Sequence, residues 1–187
     1  MQIFLALLIG YSLGSISFAV IISRAVSGID VRNYYSGTAG AANVGRLLGK
    51  KYGVIVAISD VTKGMIAVII GRLIGGEICQ VIAGIAAIIG HIFPIWFGFK
   101  GGKAIATFFG SCIFIAPLVL LPVGVMWLVL YFISRKVPQS SAISALSLPV
   151  LGLLFRYPWV EMSYLLIAGL TICFRHVLEF LPFVNRY

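Results

Sequence analysis

Residues 78–107 read ICQVIAGIAAIIGHIFPIWFGFKGGKAIAT. The first part, residues 78–96, is almost wholly apolar and close to the length of about 20 residues that a helix needs to cross a bilayer. An aromatic and proline-rich stretch follows, and then two glycines flanked by Lys100 and Lys103. This order predicts a membrane helix that delivers a basic, glycine-rich loop to one face of the membrane.

The composition of the whole chain extends this prediction. Hydrophobic residues make up 61% of the 187 residues and charged residues 10%, which is too apolar for a soluble domain of this length. Because backbone groups in lipid must be paired and the alternation of a barrel strand is absent, we expect helices. We predict an all-α integral membrane protein, a bundle of seven transmembrane helices in a single domain over residues 1–187. The predicted spans are residues 2–22, 54–74, 78–96, 104–117, 119–134, 141–155 and 159–178.

The basic residues predict the orientation of the bundle. With the N-terminus outside and the C-terminus in the cytoplasm, all lysines and arginines except Arg72 and Arg156 fall on or near the cytoplasmic side. We therefore expect a multi-pass protein of the cell membrane. Topology and attraction to anionic lipid headgroups alone are an alternative explanation for any single basic residue.

The loop between the first two spans favours anion binding. Residues 28–53 read GIDVRNYYSGTAGAANVGRLLGKKYG and are rich in small residues, with Arg46 near the end. Glycines let backbone N–H groups converge on an anion, and a guanidinium supplies bidentate charge. The loop around Gly101 and Gly102 repeats this chemistry before a helix N-terminus. Neither loop matches a P-loop or G-x-G-x-x-G pattern, so a snorkelling or topological role for each stays open.

Several polar residues lie within or at the ends of the apolar spans. Asp60 and Lys63 are one helical turn apart in SDVTKG, where they can pair, and His91 ends the third span. His176 repeats that placement in the last span, and Ser141 follows a basic pair. Each has a structural alternative as an ion pair, a packed histidine or a helix cap. By the predicted topology, however, the two loops, Ser141 and His176 all face the cytoplasm, and a cationic bowl there suits an amphiphile with a phosphate head.

No metal or cofactor site is expected. Cys79, Cys112 and Cys173 lie in apolar segments without the spacing of metal ligands, so we interpret them as small hydrophobic residues. Nothing in the sequence indicates a nucleotide, coenzyme A or nucleic-acid site, and the oligomeric state is not indicated.

Five motifs taken together resemble a known family. GSISF, residues 28–53, SDVTKG, GHIFPIWFGFKGGKAIAT and the Arg175–His176 pair are similar, in order and spacing, to the bacterial acyl-phosphate:glycerol-3-phosphate acyltransferases, the PlsY family. The resemblance implies seven transmembrane helices with an extracellular N-terminus. It also implies transfer of a fatty acyl group from acyl phosphate to the 1-hydroxyl of glycerol 3-phosphate, which gives lysophosphatidic acid and phosphate, the first acylation of phospholipid synthesis. Acyl phosphate, glycerol 3-phosphate and membrane lipids are the expected partners, without metal or cofactor.

The resemblance also implies which residues act. The expected catalytic residues are Ser36, Asn43, Arg46, Lys103, Ser141 and His176. The expected phosphate-binding residues are Gly37, Gly40, Arg46, Lys100, Gly101, Gly102 and Lys103, with Asp60, Lys63 and His91 in support.

Three positions depart from the family pattern. Thr38 stands where the family usually has Asn, Ala42 where it has Thr, and Glu179 where an Asn follows the last-span histidine. Two alternatives therefore stay open, a paralogue with a changed acceptor and an inactive lipid-binding protein. An organic-phosphate transporter is a third, but it should show paired broken helices in two halves, which the sequence lacks.

Overall fold

The computed structural model describes residues 1–178. All regular secondary structure in this part of the chain is helical, which confirms the predicted all-α class, and short 3₁₀ turns stand at Val31–Asn33, Ile95–Phe97 and Pro117–Val119. The α-helices are α1 Gln2–Gly14, α2 Phe18–Ser27, α3 Ala41–Leu48, α4 Lys50–Ile92, α5 Ile105–Ile115, α6 Leu120–Ser134, α7 Val137–Leu146, α8 Leu148–Leu154 and α9 Trp159–Val177.

Within residues 1–178, five stretches are long and apolar enough to cross a membrane, and α5 is a shorter apolar helix. They are Gln2–Ser27, Lys50–Phe97, Pro117–Ser134, Val137–Leu154 and Trp159–Val177. The predicted spans 54–74 and 78–96 both lie in the second of these stretches.

The backbone of α4 leaves helical geometry at Gly75 and Gly76, and Gly76 has a φ of +71°, which favours glycine. A Cβ at Gly71 would lie 2.5 Å from the carbonyl oxygen of Cys79 and 2.7 Å from Cβ of Ala83. In a straight helix residues 71 and 83 would be about 18 Å apart. The two halves of α4 are therefore folded against each other as a helical hairpin.

Several predicted boundaries were wrong, each for a local reason. The first span is two helices, because α1 ends at Gly14 and α2 begins at Phe18. In the third span the α-helix ends at Ile92, and the predicted end at residue 96 lies in the 3₁₀ turn that follows, since Pro94 cannot continue the helix. The sixth span begins at Val137, where Pro138 occupies the first turn that suits proline.

The chain divides into two compact units, Met1–Ser111 and the chain from Cys112 onward. In the first unit, Gly10 and Gly14 of α1 lie against the backbone of Ala83 and Ala87 in α4, so closely that a Cβ on either glycine would overlap it. Small residues at i and i+4 allow this approach of two helices within lipid, where packing rather than hydrophobicity drives association.

In the second unit, α7 and α8 pack along α9. A Cβ at Gly169 would lie 2.5 Å from the carbonyl oxygen of Ala145, and a Cβ at Gly152 would lie 2.5 Å from Sδ of Met162. As residue numbers rise along α7 and α8, the numbers of the contacted residues in α9 fall. The pairing is therefore antiparallel, and it places Ser141 and His176 at the same end of the α7–α9 pair.

Candidate active site

The first glycine-rich loop is folded around the side chain of Asn43, which is 1% exposed. Its Nδ2 donates to three backbone carbonyls, those of Val31 (2.9 Å), Tyr34 (3.1 Å) and Thr38 (3.0 Å). Its Oδ1 accepts a hydrogen bond from the backbone N–H of Ser36 at 3.4 Å. The Asn43 amide group is thus hydrogen-bonded within the loop, and it holds the backbone of the segment that carries Ser36.

Ser36, by contrast, is exposed at the surface of this loop. Its Oγ lies 3.0 Å from Oγ1 of Thr38, and Thr38 is buried. The residue that departs from the family pattern at 38 therefore contacts a predicted site residue directly. Ala42, the second departure, lies exposed in α3, and Glu179, the third, lies outside the described residues.

The second glycine-rich loop lies against the first within the same unit. The N–H of Ala39 donates to the carbonyl of Gly101 at 3.3 Å, and a Cβ at Gly102 would lie 2.6 Å from the carbonyl oxygen of Ala39. The two loops that the sequence predicted on the same side of the membrane are therefore in direct contact. The cations that they carry differ in exposure, since Arg46 and Lys100 are exposed and Lys103 is half-buried.

The two central glycines play a different part from the one expected. The N–H of Gly101 donates to the carbonyl of Ile92 and that of Gly102 to the carbonyl of His91, both at 3.1 Å. The idea that these two N–H groups form an open anion cradle was therefore wrong for this conformation. Their missing side chains serve close packing instead, because a Cβ at either position would overlap an atom of His91.

Arg32 connects the two loops by hydrogen bonds, although its charge in the sequence indicated only the orientation of the chain in the membrane. Its Nη1 donates to the carbonyls of Phe97 and Lys100, the second at 3.2 Å. Asp30 holds the guanidinium from the other side, accepting from Nε at 3.0 Å and from Nη2 at 2.8 Å. The hydrogen bonds from the Arg32 side chain hold the pKa of the Asp30 carboxyl well below its usual range. The two-residue spacing of the acid and the base is the only sequence signal that could have indicated this pair.

Asp60 and Lys63 form the predicted ion pair, with Nζ and Oδ1 2.9 Å apart and both side chains 3% exposed. Lys63 also donates to the carbonyl of Ile16 at 2.7 Å. Nδ1 of His91 lies 3.5 Å from Oδ1 of Asp60 and 3.2 Å from Oγ1 of Thr107. The three residues predicted as supporting thus form one buried cluster, and the Gly102 backbone rests on its histidine.

The second unit holds Ser141 and His176. Ser141 is 4% exposed and its Oγ accepts a hydrogen bond from Nε1 of Trp127 at 2.9 Å. His176 is fully buried, and its Nδ1 lies 2.9 Å from the carbonyl oxygen of Ile172 one turn earlier in α9. If Nδ1 of the neutral ring carries the hydrogen and donates it to that carbonyl, Nε2 is left as a hydrogen-bond acceptor. In the described part of the chain no group of residues has the composition and geometry of a metal site.

Comparison with known proteins places these features in one family. The family model for glycerol-3-phosphate acyltransferase matches residues 4–183. The glycerol-3-phosphate acyltransferase 2 of Bacillus anthracis is 38% identical over 172 residues, which cover 91% of this chain and 90% of the relative. The glycerol-3-phosphate acyltransferase of Carboxydothermus hydrogenoformans is 40% identical over 178 residues, which cover 94% and 89%.

Solved structures agree with the sequence relatives. The crystal structure of PlsY (YgiH), an integral membrane glycerol 3-phosphate acyltransferase, in its glycerol 3-phosphate form matches with a TM-score of 0.87 at 34% identity, covering 96% of this chain and 90% of that one. Its lysophosphatidic acid form matches with a TM-score of 0.84 at 33% identity. This chain therefore belongs to the glycerol-3-phosphate acyltransferase family, as an integral membrane acyltransferase.

Proposed function

We propose that this protein transfers a fatty acyl group from acyl phosphate to the 1-hydroxyl of glycerol 3-phosphate and releases lysophosphatidic acid and phosphate. The observation that supports this best is the hydrogen-bonded meeting of the two glycine-rich loops, which carry Arg46, Lys100 and Lys103. Cations on two loops that contact each other suit substrates that both bear phosphate groups.

The charge of the substrates explains why several cations are needed. Two phosphate dianions about 6 Å apart repel each other by roughly 10 kcal/mol at an effective dielectric constant of 20. We assign the neutralisation of these phosphate charges to Arg46 and Lys103. Arg46 would act as a bidentate donor and Lys103 as a half-buried point charge. We assign a weaker contribution to Lys100, which is exposed and, unlike the guanidinium of Arg46, cannot donate two parallel hydrogen bonds to a phosphate.

The reaction itself needs positioning more than a strong base, because the mixed anhydride is already activated. The 1-hydroxyl oxygen attacks the acyl carbonyl carbon, the bond from that carbon to the phosphate oxygen breaks, and hydrogen phosphate leaves. We assign the hydroxyl proton to a phosphate oxygen of the donor. Ser36 and Ser141 contribute hydroxyl groups, His176 an imidazole, and Asn43 shapes the loop that carries Ser36.

The proposed topology has seven membrane crossings with the N-terminus outside and the active residues at the cytoplasmic side. The two halves of α4 and the shorter α5 supply crossings beyond the other four apolar stretches. The basic residues of the two loops support the cytoplasmic location. Cysteine labelling from the outside tests it: a cysteine at exposed Leu73, beside the α4 turn, should react with a membrane-impermeant maleimide, and one at exposed Lys51 should not.

The decisive experiment is phosphate release from a synthetic acyl phosphate by the purified protein, with and without glycerol 3-phosphate. We expect release that depends on glycerol 3-phosphate and an equal amount of lysophosphatidic acid. Acyl-coenzyme A should not replace the donor, and chelators should have no effect. Equal turnover with acyl-coenzyme A would contradict the donor assignment.

The contact of Thr38 with Ser36 favours one alternative, a paralogue with a different acceptor. The same assay with glycerol and with other phosphorylated polyols in place of glycerol 3-phosphate separates the two. Turnover with one of these and not with glycerol 3-phosphate would replace our acceptor assignment. Binding of acyl phosphate without turnover of any acceptor would indicate a lipid-binding protein.

A further inference from the structure

Ser141 differs from Ser140, Ser147 and Ser163 in the partner of its hydroxyl group, whereas the hydroxyl of Ser144, in the same helix, is buried without a hydrogen-bond partner among the described residues. Ser140, the neighbour of Ser141, donates to the carbonyl of Lys136 four residues earlier at 3.1 Å. Ser147 and Ser163 likewise donate to carbonyls three residues earlier in the chain. Such back-bonding is the usual way in which a serine within a helix satisfies its own hydrogen. Within residues 1–178, Ser141 donates to no such carbonyl, although it is 4% exposed.

The partner of Ser141 determines whether its hydroxyl group donates or accepts in their hydrogen bond. The indole Nε1–H of Trp127 is a donor only, so in their 2.9 Å hydrogen bond the Ser141 oxygen is the acceptor. The hydroxyl hydrogen is therefore left for another acceptor, and a buried polar hydrogen without one is costly. A substrate oxygen that accepts this hydrogen would complete the site.

Trp127 is itself held in place within the second unit. Its ring stacks on Tyr131, one turn later in α6, with ring centroids 5.4 Å apart and planes inclined by 4°. The indole thus has a defined orientation, and its N–H bridges from α6 to α7.

We propose that Trp127 is a positioning residue that makes Ser141 a hydrogen-bond donor toward a phosphoryl oxygen of the substrate. An oxygen that accepts from an indole N–H is also a poorer nucleophile, so Ser141 acts by donation and forms no acyl-serine. The inference rests on the proposed function insofar as the phosphoryl group comes from one of its two substrates. Separate measurements for glycerol 3-phosphate and for acyl phosphate identify which one.

The test is a double-mutant cycle with Trp127→Phe and Ser141→Ala, measured by kcat and by the KM and Kd of each substrate. Trp127→Phe removes the N–H and keeps an aromatic ring, and we expect it to lower kcat/KM about tenfold in the wild-type background, as the loss of one oriented hydrogen bond would. In the Ser141→Ala background the same change should have less than about a twofold effect, because its target is gone. A KM or Kd that rises for only one substrate assigns the phosphoryl group to that substrate.

Two controls separate positioning from packing. Tyr131→Phe keeps the stacked ring and leaves the indole N–H in place, so activity should stay near wild type. Replacing Trp127 with benzothienylalanine, in which sulfur replaces the N–H in a ring of similar size, should reproduce Trp127→Phe. Equal losses from Trp127→Phe in both backgrounds, or normal activity with benzothienylalanine, would overturn the inference while wild-type turnover upholds the proposed function. If the wild-type protein binds its substrates without turnover, the same cycle measured in the Kd of each substrate still decides the inference.

Discussion

Gly102 packs directly on the imidazole ring of His91, so that a Cβ at position 102 would overlap Nε2 of the ring. The same Cβ would lie 2.6 Å from the carbonyl oxygen of Ala39 in the other loop. The loop that bears Lys103 is thus seated on a buried histidine on one side and on the first loop on the other. The shape of this loop depends on the absence of one methyl group.

Gly102→Ala should therefore lower the rate of acyl transfer at least about 100-fold, because the loop must move to accommodate the methyl group and a displacement of about 1 Å can have an effect of this size. Phosphate release from acyl phosphate measures it. Gly124→Ala in α6 is the matched control, since a Cβ there meets nothing within 4 Å and alanine favours a helix. Near-normal turnover of Gly102→Ala would remove loop shape from the mechanism.

Arg46→Ala and Lys103→Ala should each lower the rate by at least about two orders of magnitude while the protein still folds, because each removes a charge that the proposed function assigns to a substrate phosphate. Lys51→Ala, in an exposed position at the start of α4, should have a much smaller effect. The rates are compared at equal amounts of folded protein, judged by size-exclusion chromatography in detergent. Similar losses in all three variants would mean that the basic residues act only through topology.

Arg32→Lys should raise KM for the phosphate substrates and lower thermal stability, although the charge is kept. A lysine cannot make two hydrogen bonds to the Asp30 carboxylate and at the same time donate to the carbonyls of Phe97 and Lys100. Arg24→Lys is the control, because that guanidinium is exposed and contacts Asp30 through a single 2.8 Å hydrogen bond. If Arg32→Lys matched the wild type in KM and in melting temperature, the two loops would not depend on this contact.

The loss of stability caused by Asp30→Asn should depend on pH. Because the folded-state pKa of Asp30 lies below its ordinary value, the stabilisation by its carboxylate is present in full above that ordinary value and is lost as pH falls through the folded-state pKa. The difference in melting temperature between wild type and Asp30→Asn should thus be largest near pH 7 and should shrink as the pH is lowered toward 3. A difference that stays constant over this range would exclude Asp30 as its source.

Lys63→Met should destabilise the protein by about 3–5 kcal/mol, since it leaves the Asp60 carboxylate buried without its 2.9 Å partner. The double variant Asp60→Asn with Lys63→Met removes both charges and should recover much of the lost stability. Thermal unfolding in detergent measures both. A double variant that is less stable than Lys63→Met alone would show that the pair stabilises the fold beyond its mutual charge compensation.

Hydropathy along the chain was enough to predict the helical class, the membrane location and most of the apolar segments, because a chain in lipid must satisfy its backbone within each helix. A proline shifted one boundary at Pro94, where backbone geometry overrides an apolar run, whereas the turn at Gly75–Gly76 lies in the gap predicted between the spans 54–74 and 78–96. The motif residues indicated the family and the phosphate chemistry. The ion pair of Asp60 and Lys63 could also be predicted, since a spacing of three residues in a helix is itself a contact.

Only the tertiary structure showed what depends on contacts between distant segments. Three contacts each join residues at least eleven positions apart. They are the packing of Gly102 on His91, the hydrogen bond from Arg32 to the carbonyl of Lys100, and the hydrogen bond from the Trp127 indole to Ser141. Residue types and spacing do not determine such pairs, because close packing of helices decides which side chain meets which backbone. For the same reason the sequence indicated Asn43 and Gly102 as important, whereas the structure shows what each one contacts: Asn43 hydrogen-bonds to its own loop, and Gly102 packs on the ring of His91.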